Sequence, residues 1–316
     1  VALSGSVLVL RALGLGDLLT AVPALRALKS ACPDDRVVLA APESLGELVD
    51  LIDAVDELLP TPGLGALRWL GESPRLAVNL HGTGPESIRD LLASSPGTLL
   101  THRHSAFPDQ PGLDWREDVH EVDRWCRLLE YGGIATDRTA LLLPAPPGPV
   151  PESNAIVIHP GAAYPARRWP FERFARVARE LGADGRRVVI TGSHSEISLA
   201  NAVAARAGLP SSAVYAGRIG LVELAALVAD AALVVCGDTG VGHLATAFGT
   251  PSVLLFGPTP PRVWGPPATA KHHVVLWAGK VGDPHADRPD PGLLEVRTER
   301  VLTAAVEVIG KRGHHG

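Results

Sequence analysis

The pattern that most constrains this chain is a recurring triplet: a short apolar run, a turn bearing glycine, then a segment with apolar residues at helical spacing. Val7 to Leu10 runs into Gly14 and Gly16, after which Leu18, Ala21, Val22, Leu25 and Leu28 follow the period of a helix. Ala232 to Cys236 leads through Gly237, Gly240 and Gly242 into a helix predicted over Val241 to Phe248, and Ser252 to Phe256 resumes as strand. Runs without polar alternation suit strands buried on both faces, and parallel strands require a crossover helix between them. The repeat therefore predicts an α/β chain of doubly wound parallel sheets with helices on both faces. Further strands are expected at Val37 to Ala41, Leu76 to Leu80, Ala155 to Ile158 and Arg187 to Thr191. Helices are expected around Leu45 to Ile52, Phe171 to Leu181, Ile197 to Ala207 and Leu221 to Ala229. Pro23 either kinks a helix begun at Asp17 or stands at the start of a later one. Ser94 to Arg116, with His102, Arg103 and His104, reads as irregular loop.

Between the two series lies Pro144 to Pro151, five prolines in eight residues, which excludes a regular helix or central strand and favours an extended connector. The expected division is 1–147 and 148–316, two Rossmann-like domains facing a cleft, the last helix able to pack back on the first. Composition narrows the function. A net charge of −5 with scattered basic residues leaves no electrostatic footprint for nucleic acid. Cys32, Cys126 and Cys236 lie far apart without C-x-x-C spacing, which argues against a disulfide framework or a zinc site and suits a reducing cytoplasm. Apolar runs break well before the ~20 residues of a membrane-spanning helix, so a transmembrane segment is not expected, while peripheral contact with a membrane surface stays open.

Ligands of open α/β sheets bind beyond the carboxyl ends of strands. After Cys236 comes Gly237-Asp238-Thr239-Gly240-Val241-Gly242-His243, where glycines at a helix start let backbone N–H groups approach an anion. Thr239 adds a hydroxyl and His243 lies one turn inside the helix; the alternative is that Asp238 or Thr239 caps it. The loop from His159 to Pro170 contains Gly161 and the pair Arg167-Arg168, guanidinium groups shaped for phosphate or simply solvated beside Trp169. In Thr191-Gly192-Ser193-His194-Ser195-Glu196, Gly192 admits a flat base and Glu196 can accept from ribose hydroxyls, or serves as a first-turn acid. In the first domain, Gly14, Gly16 and Asp17 place a carboxylate beyond the first strand, as a base or a helix cap. The third glycine of G-x-G-x-x-G is missing, Leu19 standing in its place, which weakens a dinucleotide-dependent oxidoreductase.

Together these loops resemble glycosyltransferase family 9, the family of the ADP-heptose:lipopolysaccharide heptosyltransferases, in GT-B form. The resemblance is carried by Leu15-Gly16-Asp17 with Pro23, Pro160-Gly161-Ala162, Arg167-Arg168-Trp169-Pro170, and Gly192-Ser193 with Glu196. It continues in Asp238-Thr239-Gly240, His243-Leu244-Ala245, Phe256-Gly257-Pro258-Thr259 and Trp264-Gly265-Pro266. It implies an N-terminal acceptor domain, a C-terminal nucleotide-sugar domain, and inverting transfer of a sugar, heptose from ADP-heptose, without a metal or other cofactor. Asp17 would be the general base. Arg167, Arg168, Thr239, Gly240 and Val241 would hold the donor diphosphate, and Gly192, Ser193 and Glu196 the nucleoside. Asp238, His243, Gly16 and Gly161 would lie near the sugar or order the loops. Arg167 is a departure, since the family usually has lysine there, keeping charge but changing geometry.

No D-x-D follows a strand, so arginine and a helix dipole would replace a divalent ion. Asp283, His285, Asp287 and Asp290 read more simply as a solvated loop than as a metal site. The acceptor is expected to be a glycan, lipid-linked or secondary-metabolite hydroxyl, and the location the cytoplasm or the inner membrane face. An epimerase or hydrolase of nucleotide sugars, and a non-catalytic nucleotide-sugar-binding protein, are the alternatives on the same scaffold.

Overall fold

The computed structural model describes residues 5–312. The chain divides after Leu141 into two compact units, ahead of the proline-rich run. That run belongs to the second unit for a local reason: Leu143 N–H donates to the carbonyl of Ala247, and the Tyr215 hydroxyl donates to that of Pro151.

The first unit runs β1 (Gly5–Leu10), α1 (Leu15–Thr20), α2 (Val22–Ala31), β2 (Asp35–Ala41), α3 (Gly46–Val49), β3 (Glu57–Pro60), β4 (Leu76–Asn79), α4 (Pro85–Leu92), β5 (Thr98–Leu100) and α5 (Glu121–Tyr131). Among the described residues these strands make one parallel sheet in the order β3-β2-β1-β4-β5. β1 lies at its centre, with Ser6 to Leu10 buried, as an unbroken apolar run requires. Pro23 resolves as the start of a later helix, in the first two positions of α2, and α1 stops before it. The helix expected over Leu45 to Ile52 is a single α-turn, Gly46–Val49, flanked by 3-10 turns. Ser94 to Arg116 is less irregular than expected. It contains β5, and His102 pairs with Leu113 in an isolated bridge.

The second unit runs β6 (Ile156–His159), α6 (Phe171–Gly182), β7 (Val188–Ile190), α7 (Ile197–Ala207), α8 (Leu221–Asp230), β8 (Leu233–Gly237), α9 (Gly240–Ala247), β9 (Ser252–Leu255), α10 (Pro261–Trp264), β10 (His273–Leu276), α11 (Pro291–Leu294) and α12 (Thr298–Arg312). Its parallel sheet has the order β10-β9-β8-β6-β7. The last helix, α12, lays Val301, Ala304, Ala305 and Val308 in the core of this second unit.

Each sheet thus has one place where the strand order reverses, between β1 and β4 in the first and between β6 and β8 in the second. The connections leaving the two strands there run to opposite faces, so a crevice opens beyond their carboxyl ends. Cys32, Cys126 and Cys236 are buried and unpaired, and among the described residues no helix is long and apolar enough to cross a membrane.

Packing in the second unit is set by α6. Phe174, Ala175, Val177, Ala178 and Leu181 face inward at helical spacing. Phe174 meets Trp169 edge to face with ring centroids 5.0 Å apart, and the Trp169 indole donates to the carbonyl of Val296 at 2.9 Å. Phe174→Ala is expected to cost about 3–5 kcal/mol of stability through the cavity it leaves, measured by urea unfolding followed by tryptophan fluorescence.

Candidate functional site

At the β6/β8 reversal two loops are pressed together. Arg167 closes a 3-10 turn, Pro165–Arg167, in the loop after β6. A Cβ on Gly237, the last residue of β8, would stand 3.0 Å from the carbonyl oxygen of Arg167. Glycine is what lets the loops approach so closely. Arg167 Nη1 reaches the carbonyl of Asp238 at 3.5 Å, Nε is buried without a protein partner, and the guanidinium stands 5.7 Å from the Tyr164 ring centroid. Much of this cation's donor capacity is therefore unspent. Arg168 differs: its Nε donates to the carbonyl of Ala162 at 2.8 Å, bracing its own loop.

Thr239 is the N-cap of α9, extended at φ −146° and ψ 168°, but its side chain makes no cap bond. The capping alternative for Thr239 is thus not realised. Its buried Oγ1 lacks an oxygen or nitrogen partner and has the Cys236 thiol as its polar neighbour. Gly242 and His243 donate to the Thr239 carbonyl at 3.0 and 3.4 Å, so α9 winds immediately and the first-turn N–H groups of Gly240 and Val241 lie at its open end. Val241 is buried and offers backbone alone. Gly242 packs α9 onto the sheet, where a Cβ would lie 3.2 Å from Leu254 and 3.4 Å from Cys236 Sγ. Burial pushes that thiol up to about 12, which removes it as a nucleophile. Beside the loop, a groove of about 200 Å³, partly open to solvent, is lined by Asp238, Thr239, His243, Thr246, Trp264 and Pro266. His243 and Trp264 meet edge to face at 5.7 Å.

The loop after β7 joins this group through a second tight glycine. A Cβ on Gly161 would lie 2.0 Å from Glu196 Oε1. The opposite carboxylate oxygen, Oε2, accepts from the Ser193 N–H at 2.8 Å and from its hydroxyl at 2.9 Å, a capping box. The first-turn reading of Glu196 is therefore realised, with one oxygen committed to Ser193 and the other turned to the Gly161 backbone. Gly192 fits closely between Glu196 and Ala216. Beneath them His159 is buried, with Nδ1 3.0 Å from Thr191 Oγ1. Burial lowers its pKa, opposed by the nearby Glu196, and favours the neutral ring.

In the first unit, Asp17 lies in the first turn of α1, whose N-cap is Gly14, so Asp17 is not the cap. Its carboxylate faces Arg11, with Nη2 3.5 Å from Oδ1. Gly16 precedes it in the same turn. Arg11, Thr20, His81 and Glu121 complete the surroundings, and sequence reasoning assigned Arg11, Thr20 and Glu121 no role. The one available signal was Arg11 itself, a charge directly after an all-apolar strand. Burial, with Arg11 beside it, holds His81 below the usual imidazole range.

Asp283, His285 and Asp290 serve local bonds. Asp283 accepts from the His285 N–H and Asp290 from that of Leu293. Among the described residues no group of three His, Cys, Asp or Glu side chains is placed to hold a metal.

Several known proteins resemble this chain over most of its length. The model of glycosyltransferase family 9 (heptosyltransferase) matches residues 135–290. Lipopolysaccharide heptosyltransferase 2 of Salmonella typhimurium is 27% identical over 342 residues, covering 94% of this chain and 97% of its own. The crystal structure of a family 9 glycosyl transferase from Veillonella parvula superposes with a TM-score of 0.82 at 22% identity, covering 97% of this chain and 98% of its own. That of Escherichia coli ADP-heptose lipopolysaccharide heptosyltransferase II gives 0.79 at 22%, covering 98% and 99%. Two Rossmann-like units in GT-B architecture, the family 9 match across residues 135–290 and the full-length likeness to a lipopolysaccharide heptosyltransferase make this chain a heptosyltransferase-like glycosyltransferase.

Proposed function

We propose that the chain transfers heptose from ADP-heptose to a hydroxyl of a glycan, lipid-linked or secondary-metabolite acceptor, with inversion and without a metal. The observation that carries this reading is Arg167 beside the open end of α9, a cation with unspent donors next to first-turn amides. A departing diphosphate needs that combination. Gly240, Val241 and Thr239 bind its oxygens, and Arg168 keeps the loop in shape. Gly192, Ser193 and Glu196 receive the nucleoside, while Asp238 and His243 border the sugar in the groove with Trp264. Asp17 removes the proton of the attacking hydroxyl. In-line attack needs a base and a leaving-group cradle on opposite sides of the reacting carbon. Positive charge at the diphosphate comes from Arg167 and the α9 dipole. The enzyme acts in the cytoplasm, at the inner membrane face where the acceptor is lipid-linked.

A thermal-shift screen tests the donor. ADP-heptose should raise the melting temperature more than UDP- or GDP-sugars, because a ligand selective for the native state stabilises it. Equal stabilisation by all three would remove the donor assignment. ADP release from ADP-heptose, with heptose-free lipopolysaccharide as acceptor, tests the roles. Asp17→Asn should lower kcat by about 10²–10⁴ and leave ADP affinity by calorimetry within about twofold. Arg167→Ala should lower kcat/KM by about 10²–10³. Gly161→Ala displaces the Glu196 carboxylate and should raise the donor KM about tenfold at nearly unchanged kcat. An unchanged KM would detach Glu196 from the nucleoside.

A further inference from the structure

The Arg11 side chain is fully buried, yet it ends among five acceptors and an aromatic face. Nε donates to the main-chain carbonyl of Asp17 at 3.0 Å, and Nη1 to the carbonyl of Leu80 in a short bond. Nη2 faces Asp17 Oδ1 at 3.5 Å, Thr20 Oγ1 at 3.2 Å and Glu121 Oε1 at 3.4 Å. The guanidinium carbon lies 4.5 Å from the Trp125 ring centroid. A fully buried cation is costly unless it is paired and hydrogen-bonded, and here the partners come from both sides of the β1/β4 reversal and from α5.

The Asp17 carbonyl is free to accept because α1 ends within one turn of it. In a continuing helix it would bond the N–H of Ala21, but α1 ends at Thr20 and Ala21 N–H turns to Leu18 instead. Pro23, two residues further on, cannot continue α1 either, because its ring would collide with the carbonyl of Leu19, four residues back. The released carbonyl takes Arg11 Nε and the Thr20 hydroxyl, the latter at 2.9 Å. We infer that Arg11 is the positioning residue for Asp17, gripping its backbone and facing its carboxylate with one guanidinium whose charge is divided between Asp17 and Glu121. This rests on the reading of Asp17 as the base.

The surrounding charges set the sign of the test. Glu121 is also held by Arg124, Nε to Oε2 at 3.0 Å, so two guanidinium groups and two carboxylates balance. Burial and Arg11 lower the pKa of His81, beyond β4, against the opposing pull of Asp17. A cation facing a carboxylate favours the anion, and a competing carboxylate draws that support away. Neutralising Glu121 and weakening Arg11 should therefore act in opposite directions.

The assay is ADP release from ADP-heptose by the full chain, with heptose-free lipopolysaccharide, as a function of pH. Arg11→Lys keeps the charge but cannot serve all these acceptors at once. It should lower kcat by about 10²-fold with the donor KM within about twofold, and move the acid limb of kcat/KM up by about one pH unit. Glu121→Gln should move that limb down. Limbs displaced in the same direction, or unmoved in Glu121→Gln, overturn the inference, and the second criterion holds even where Arg11→Lys fails to fold. If Asp17→Asn retains turnover, the base assignment fails. If Asp17→Asn is inactive while the other two variants follow the wild-type profile, only the role given to Arg11 fails.

Discussion

Reversal of strand order is the constraint from which both sites descend. A sheet of parallel strands offers its carboxyl ends as a row of loop origins, and most neighbouring loops cross the same face and crowd one another. Between β1 and β4, and again between β6 and β8, they part. The orders differ. The first unit counts outward from β1 on one side and onward from β4 on the other, whereas the second sends β6 and β7 one way and β8 to β10 the other. Each has one crevice, and the strands that flank it lead into several of the residues that carry chemistry: Arg11 and Asp17 after β1, His81 after β4, Arg167 after β6 and Asp238 to Val241 after β8.

Given that crevice, close approach of backbone becomes the next requirement, and glycine answers it at two positions. Gly237 allows the Arg167 carbonyl within 3.0 Å of where a Cβ would be, and Gly161 accommodates the Glu196 carboxylate. Neither glycine needs a left-handed conformation; what each supplies is the missing side chain. The consequence is that three loops, after β6, β7 and β8, form one surface, with a guanidinium, a helix start and a capped acid in fixed relation.

Much of this was legible in the sequence because buried central strands write themselves as apolar runs. β1, β6, β8 and β9 are buried almost throughout, and the glycine-bearing turns after them marked where to look. Three of the four edge strands were not legible. β3 has both end residues exposed, and β10 is only half-buried over its first three residues, so neither shows an unbroken apolar run. β5 has three residues and lies next to a long connection. α5 was hidden for a different reason: its inward face includes Glu121 and Arg124 with Trp125 and Leu128, and charged residues on a buried face break the pattern on which a helix is recognised. The network around Arg11 was missed with it, since its partner lies 110 residues away.

Arg11 and Arg167 show how one residue type is put to two uses by its surroundings. Both follow a central strand at a reversal, and both carry five donors in a rigid fork. Arg11 distributes its donors among two carbonyls, a hydroxyl and two carboxylates, and its burial lowers its pKa against the pull of Asp17 and Glu121. With its side chain fully buried it does not reach a substrate, so its influence passes through Asp17. Arg167 keeps a buried Nε unpaired and touches a single carbonyl at the limit of hydrogen-bond length. A buried donor without an acceptor is expensive, and an anion at the start of α9 would relieve that cost as it binds. Saturation suits a residue that holds another in place; an unspent donor suits one that waits for charge to arrive.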